Sequence, residues 1–297
     1  MNRKKMIFNS DTIFDIIITL IIIAVTLIIL YPLYFVVIAS ISDPAMVASG
    51  NVILAPKGIN YDGYWYIFRD HRIISGYKNT VIYAVLGTLL ALLITIPAGY
   101  ALSRKDLPFR NAIMKITLFT KFFSGGLIPT YLVINSLHLV NTRAIIIILG
   151  AFSVFNLILC RTFFVNTMSD ELREAAEVDG CPTFTFFCKI VLPLSGSIIA
   201  IMVLYYAVAY WNSFFNALIY LSDANKYPLQ MIMRDILITG QALQADVSDP
   251  DAYEQMLRIA QSIKYGVIIV SSLPVLVLYP FVQKHFVKGI MIGSLKG

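Results

Sequence analysis

Residues 16–42 read IIITLIIIAVTLIILYPLYFVVIASIS, 27 positions without one Asp, Glu, Lys or Arg. An α-helix rises 1.5 Å per residue, so about 20 largely apolar residues cross the hydrocarbon core of a bilayer. Five further uncharged runs follow, at 79–103, 122–142, 144–160, 190–222 and 265–283. The alternating polarity of membrane barrel strands is absent, so the reading is an all-α membrane protein with six transmembrane helices. The expected spans are 14–41, 79–103, 111–134, 143–164, 193–222 and 264–284, in a single domain over 1–297. The 122–142 run is the poorest, holding Ser124-Gly125-Gly126, Pro129, Asn135 and His138. Its helix is therefore expected to start earlier, near Asn111, and to carry Lys121 with it.

Composition points the same way. Of 297 residues, 58% are hydrophobic and 13% charged, and the mean hydropathy is +0.77. A soluble domain carries about 25% charged residues. A soluble enzyme, a disordered regulator and a nucleic-acid binder are thereby disfavoured, and the net charge of +6 suits anionic lipid. Arg3, Lys4 and Lys5 precede a first run too long for a cleaved signal, which places the N-terminus in the cytoplasm. With six spans the C-terminus lies there too, and the inside segments carry 13 Lys/Arg against 9 outside, Lys121 being unassigned. Cys160, Cys181 and Cys188 then fall at or near a reducing side and remain thiols. They form no metal-ligand pattern with His71, His138 or His285, so no metal and no cofactor is expected.

The inner segment 165–193 is the most informative. It contains Ser169-Asp-Glu-Leu-Arg-Glu-Ala-Ala-Glu-Val-Asp-Gly180-Cys-Pro182, and then continues to Ile190-Val-Leu192-Pro193. Ser169 suits an N-cap, and Asp170 and Glu171 suit the positive end of a helix. Gly180 suits a left-handed C-terminal position, with Pro182 opening the next helix. The stretch thus specifies a short helix, a sharp corner and a second helix running into the fifth span. Ala175 and Ala176 leave one flank of the first helix bare, so that another surface can approach.

Glu174-Ala175-Ala176, Gly180, Ile190 and Leu192-Pro193 match the EAA loop of ABC importer permeases at every fixed position. Seven such identities would coincide about once in 10⁸ starting positions at ordinary residue frequencies. Gly99-Tyr-Ala-Leu-Ser-Arg104, Ser124-Gly-Gly-Leu-Ile-Pro-Thr-Tyr131, Trp211-Asn-Ser-Phe-Phe-Asn-Ala-Leu218, Tyr227-Pro-Leu-Gln230 and the terminal Gly289–Gly297 resemble the carbohydrate-uptake, maltose-type branch. The resemblance covers roughly residues 70–297.

This resemblance implies a type I importer permease fold in the inner or plasma membrane. It also implies a second, non-identical permease chain, two ATPase subunits and an extracytoplasmic sugar-binding protein. Glu174, Ala175, Ala176, Gly180, Ile190, Leu192 and Pro193 would couple this chain to the ATPases, and the loop 240–254 sits where maltose-type permeases reach the binding protein. None of the 16 glycines precedes Lys-Ser or Lys-Thr, so the chain has no P-loop and is not read as an enzyme.

On a continuous fifth helix Tyr205, Asn212 and Asn216 would share a face, either lining a sugar path or gluing helices together. Lys121 would face a cavity, pair with the partner chain or snorkel, since a mid-membrane charge costs about 2.5–3.5 kcal/mol. An ion-coupled secondary transporter is the alternative. It is disfavoured because no Asp or Glu falls in any of the six runs.

Overall fold

The computed structural model describes residues 10–242, 260–277 and 280. Among these there is no strand. The helices are α1 (Ser10–Ser40), α2 (Pro44–Ala48), α3 (Asp62–Arg69), α4 (His71–Ser103), α5 (Arg110–Phe122), α6 (Leu127–Ser136), α7 (Arg143–Leu149), α8 (Val154–Thr167) and α9 (Asp170–Val178). They continue with α10 (Thr183–Leu194), α11 (Gly196–Trp211), α12 (Phe215–Tyr220), α13 (Leu229–Ala242) and α14 (Ala260–Val277). Arg3, Lys4, Lys5, residues 243–254 of the expected outer loop, His285 and the terminal Gly289–Gly297 lie outside the described residues.

Three helices, α1, α4 and α14, are each long and apolar enough to cross a membrane. Counting each bent pair as one span brings the number to six: α5 with α6 (111°), α7 with α8 (47°) and α10 with α11 (79°). The breaks fall where the sequence withholds helix-forming residues. Gly125-Gly126 separates α5 from α6, Gly126 having φ +85°. The helix α7 ends at Gly150, and α8 starts from Ser153, whose side chain accepts from the Asn156 N–H. As expected, α5 starts near Asn111 and carries Lys121.

The chain forms two compact units. In the first (1–69 and 236–270), the apolar positions of α1 from Ile13 to Tyr34 are exposed, as befits a helix whose solvent is lipid. The end of α1 is closed by the following loop: Asn60 N–H donates to Ile41 O (3.0 Å) and Asp43 N–H to Lys57 O (3.0 Å). The Tyr64 and Ser40 hydroxyls are 2.8 Å apart. A Cβ on Gly63 would strike the Ser262 carbonyl, so α3 and α14 pack backbone to backbone there.

In the second unit (70–235 and 271–297), α4 is the hub and packs against α7, α8 and α11. Gly99 makes the α4–α8 approach possible, since a Cβ there would lie 2.6 Å from Cys160 Sγ. Tyr206 on α11 is buried and shares a 2.7 Å hydrogen bond with Thr95 of α4. A buried hydroxyl in an apolar core needs such a partner. The Asn79 amide, also buried, donates to Asn225 O (2.8 Å) and Tyr227 O (3.1 Å), while Leu229 N–H donates to Thr80 Oγ1 (2.8 Å). The Tyr227-Pro-Leu-Gln230 stretch is thus tied to α4 through its backbone.

Candidate coupling surface and transport path

The corner foreseen at Ser169–Pro182 forms as a fully capped helix. Ser169 Oγ accepts from Leu172 N–H, and Asp170 and Glu171 occupy the first turn. At the other end Gly180 N–H donates to Glu177 O (3.0 Å) and Cys181 N–H to Ala176 O (2.9 Å). This is a Schellman closure, and Gly180 holds the left-handed conformation it requires, with φ +71°. Pro182 stands just outside α10 as its cap residue, one position earlier than the first-turn place expected for it.

The EAA residues divide between two faces. Ala176 is buried with Tyr100, Phe164, Phe186 and Val191, and Ile190 and Leu192 pack against the same cluster. Glu174, Ala175, Gly180 and Pro193 are exposed. The two alanines therefore do not form one bare flank: Ala176 is an internal contact and Ala175 faces outward. Val178 (89% exposed) and Phe184 (78%) flank the corner as uncovered apolar side chains that motif reading passed over.

The inner face of α9 rests on the end of α4. Tyr100 packs against Phe164 (ring centroids 5.6 Å apart) and Phe187 (5.2 Å). Just beyond, Arg104 Nε donates to Asp106 Oδ1 (2.9 Å), and this hydrogen bond holds the Asp106 carboxyl down at about 2. Arg173 of α9 bonds Glu177 one turn on (2.6 Å) and lies 4.0 Å from Asp106, while Lys105 reaches Asp170 (2.6 Å) and lowers its pKa. Exposed pairs of this kind add little to stability, so they orient α9 more than they stabilise it. A 350 Å³ cavity opens beside them, between Arg104, Arg161 and Arg173. Sequence reading quoted Arg104 and Arg173 only within motifs and passed over Asp106 and the ion-pair cluster the three form, because they come from two segments about 70 residues apart.

The path candidates are placed less simply. Asn212 and Asn216 do not continue the face of Tyr205, because α11 ends at Trp211 and α12 begins at Phe215. The Asn212 amide donates back to Val208 O (3.0 Å) and so closes α11. Lys121 and Tyr205 do converge, through a third residue. Lys121 Nζ lies 5.6 Å from the Phe155 ring centroid, and Phe155 stacks on Tyr205 at 6.5 Å. Among the described residues no cluster of three His, Cys, Asp or Glu could hold a metal ion.

An all-helical bundle with bent spans and a capped short helix standing at one end has the architecture of a type I importer permease. Over residues 73–292 the chain matches the family described as binding-protein-dependent transport system inner membrane component, and it belongs to that family. It is similar to YtcP, the polygalacturonan/rhamnogalacturonan transport system permease protein of Bacillus subtilis (strain 168). The two are 40% identical, covering 97% of this chain and all of the relative. Protein LplC of the same organism is 37% identical, over 90% of this chain and 89% of its own. A chain in the crystal structure of a bacterial ABC transporter that imports the acidic polysaccharide alginate superposes with TM-score 0.83 and 30% identity. That match covers 96% of this chain and 100% of the other.

Proposed function

We propose that this chain is one of two permease subunits of an ATP-driven importer that receives oligosaccharides from an extracytoplasmic binding protein. The second permease is a non-identical chain, and both termini lie in the cytoplasm. One observation carries the coupling role: the EAA segment is two-faced, with Glu174, Ala175 and Gly180 outward and Ala176, Ile190 and Leu192 locked into the bundle. Such an element passes force from a docked partner to the spans. An ATPase subunit seats α9 in a cleft, with a basic residue opposite Glu174. When the ATPases close, α9 moves and carries with it Tyr100 on α4, Phe164 on α8 and, through α10, the start of α11. Those spans then alternate between outward-open and inward-open arrangements. Pro193 helps set the turn of α10 into α11. Hydrolysis belongs to the ATPases, since the chain has no P-loop.

Two relatives named for polygalacturonan/rhamnogalacturonan and for alginate support a carbohydrate cargo. The loop 240–254 is the segment proposed to meet the binding protein. Deleting the chain abolishes uptake of the cognate oligosaccharide. Glu174→Ala and Gly180→Val each strip the ATPases from the purified complex, the first because removing one partner of an interfacial charge pair costs about 2–5 kcal/mol. Normal co-purification and normal uptake by both variants would refute the coupling role.

A further inference from the structure

Lys121 stands within a predicted span, at a cost the fold has to justify. It lies eleven residues past Arg110, the first residue of α5, which is about 16 Å of helix. Phe155 lies twelve residues before the last of α8 (about 18 Å), and Tyr205 nine residues past the first of α11 (about 14 Å). All three helices are measured from ends that adjoin the charged 104–110 and 169–194 segments. Three helices therefore place an ammonium and two aromatic rings at similar distances from those ends, about 14–18 Å along each helix.

Lys121 makes no ion pair with any carboxylate among the described residues. Its Nζ faces the rings of Phe155 (5.6 Å) and Phe122 (6.0 Å). Lys121 is exposed, as are Phe155 (54%) and Tyr205 (37%). It is thus an open lysine set beside a stacked aromatic pair.

We propose that Lys121, Phe155 and Tyr205 form a transit site for acidic sugars. The Lys121 ammonium meets a uronate carboxylate while the apolar C–H face of the pyranose ring slides over Phe155 and Tyr205. This deepens the proposed importer function and rests on it. A neutral sugar leaves the ammonium uncompensated as water is expelled, whereas a uronate neutralises it. A single ammonium with no second donor group also keeps the contact weak, as a site on a path must be if the cargo is to leave it. Charge selection at this depth comes after any selection by the delivery protein.

The test uses the full importer in cells and follows uptake of labelled trigalacturonate and of the same trisaccharide with its carboxyls reduced to hydroxymethyl groups. Wild type is expected to favour the acidic sugar. Lys121→Gln should lower the acidic-to-neutral uptake ratio about tenfold, Lys121→Glu should lower it further, and Lys121→Arg should restore it. Phe155→Leu should slow both sugars and leave the ratio near the wild-type value. Recovery of the assembled complex from each strain guards against a folding defect. The inference is overturned if wild type prefers the neutral sugar, or if Lys121→Gln in an assembled complex leaves the ratio unchanged. Failure of wild type to import any oligosaccharide would instead defeat the importer reading itself, and the transit site with it.

Discussion

Gly180 and Gly87 resist substitution for opposite reasons. Around Gly180 there is open space, and only its φ of +71° disfavours a side chain. The left-handed conformation costs a non-glycine residue about 1–2 kcal/mol, least for Asn. Gly180→Asn should therefore keep ATPase co-purification where Gly180→Val loses it, and pull-down from membranes separates the two. Gly87 has ordinary helical geometry, but a Cβ there would overlap the Tyr210 ring, whose hydroxyl donates to Ile147 O. Gly87→Val should destabilise the chain by about 1–3 kcal/mol through overpacking, read as a lower unfolding midpoint in detergent. Gly180 was legible in the sequence because a corner announces itself locally. Gly87 was not, because the ring it accommodates is more than a hundred residues away.

Helix α9 illustrates how an element can be foretold while its orientation is not. Its cap, its acidic first turn and its glycine stop are local signals, and all three appear in the structure. Which alanine turns inward depends on Tyr100 and Phe186, which belong to other helices. The ion pairs beneath α9 lead to a pH prediction. Asp106 has its pKa held at about 2 against an unfolded value near 3.9. A lowered carboxylate pKa contributes stability above the unfolded value, and that contribution is lost as pH falls through the folded one. The seating of α9 should thus be constant from pH 5 to 8 and loosen only below about 4. Limited proteolysis of the 165–193 segment in nanodiscs would read this, and a change in cleavage between pH 5 and 8 would contradict it. Uncharged runs mark where apolar helices lie, but the fifth, expected over 193–222, corresponds to a bent pair over Thr183–Trp211, and Gly125-Gly126, Gly150 and the α10–α11 turn bend three of the candidate spans in ways that run length does not encode. The break after Trp211 likewise separates Asn212 and Asn216 from the face of Tyr205.

For the molecule as a whole, the energy source is the decisive property. If α9 couples this permease to ATPase subunits as proposed, the cell should take up oligosaccharide while ATP is high even after a protonophore collapses the proton gradient. Loss of uptake under a protonophore at constant ATP would instead favour an ion-coupled carrier. Membrane residence, helical class and the capped corner at 169–182 were readable from residue order alone, because lipid demands long apolar helices and helix caps are chemistry between near neighbours. The family match over residues 73–292 covers most of the stretch in which the resembling motifs lie. Three-dimensional packing alone assigned Ala176 to the interior, bent three spans and brought Lys121, Phe155 and Tyr205 together. Contacts between distant helices depend on how their side chains fill shared space, and no short stretch of chain carries that information.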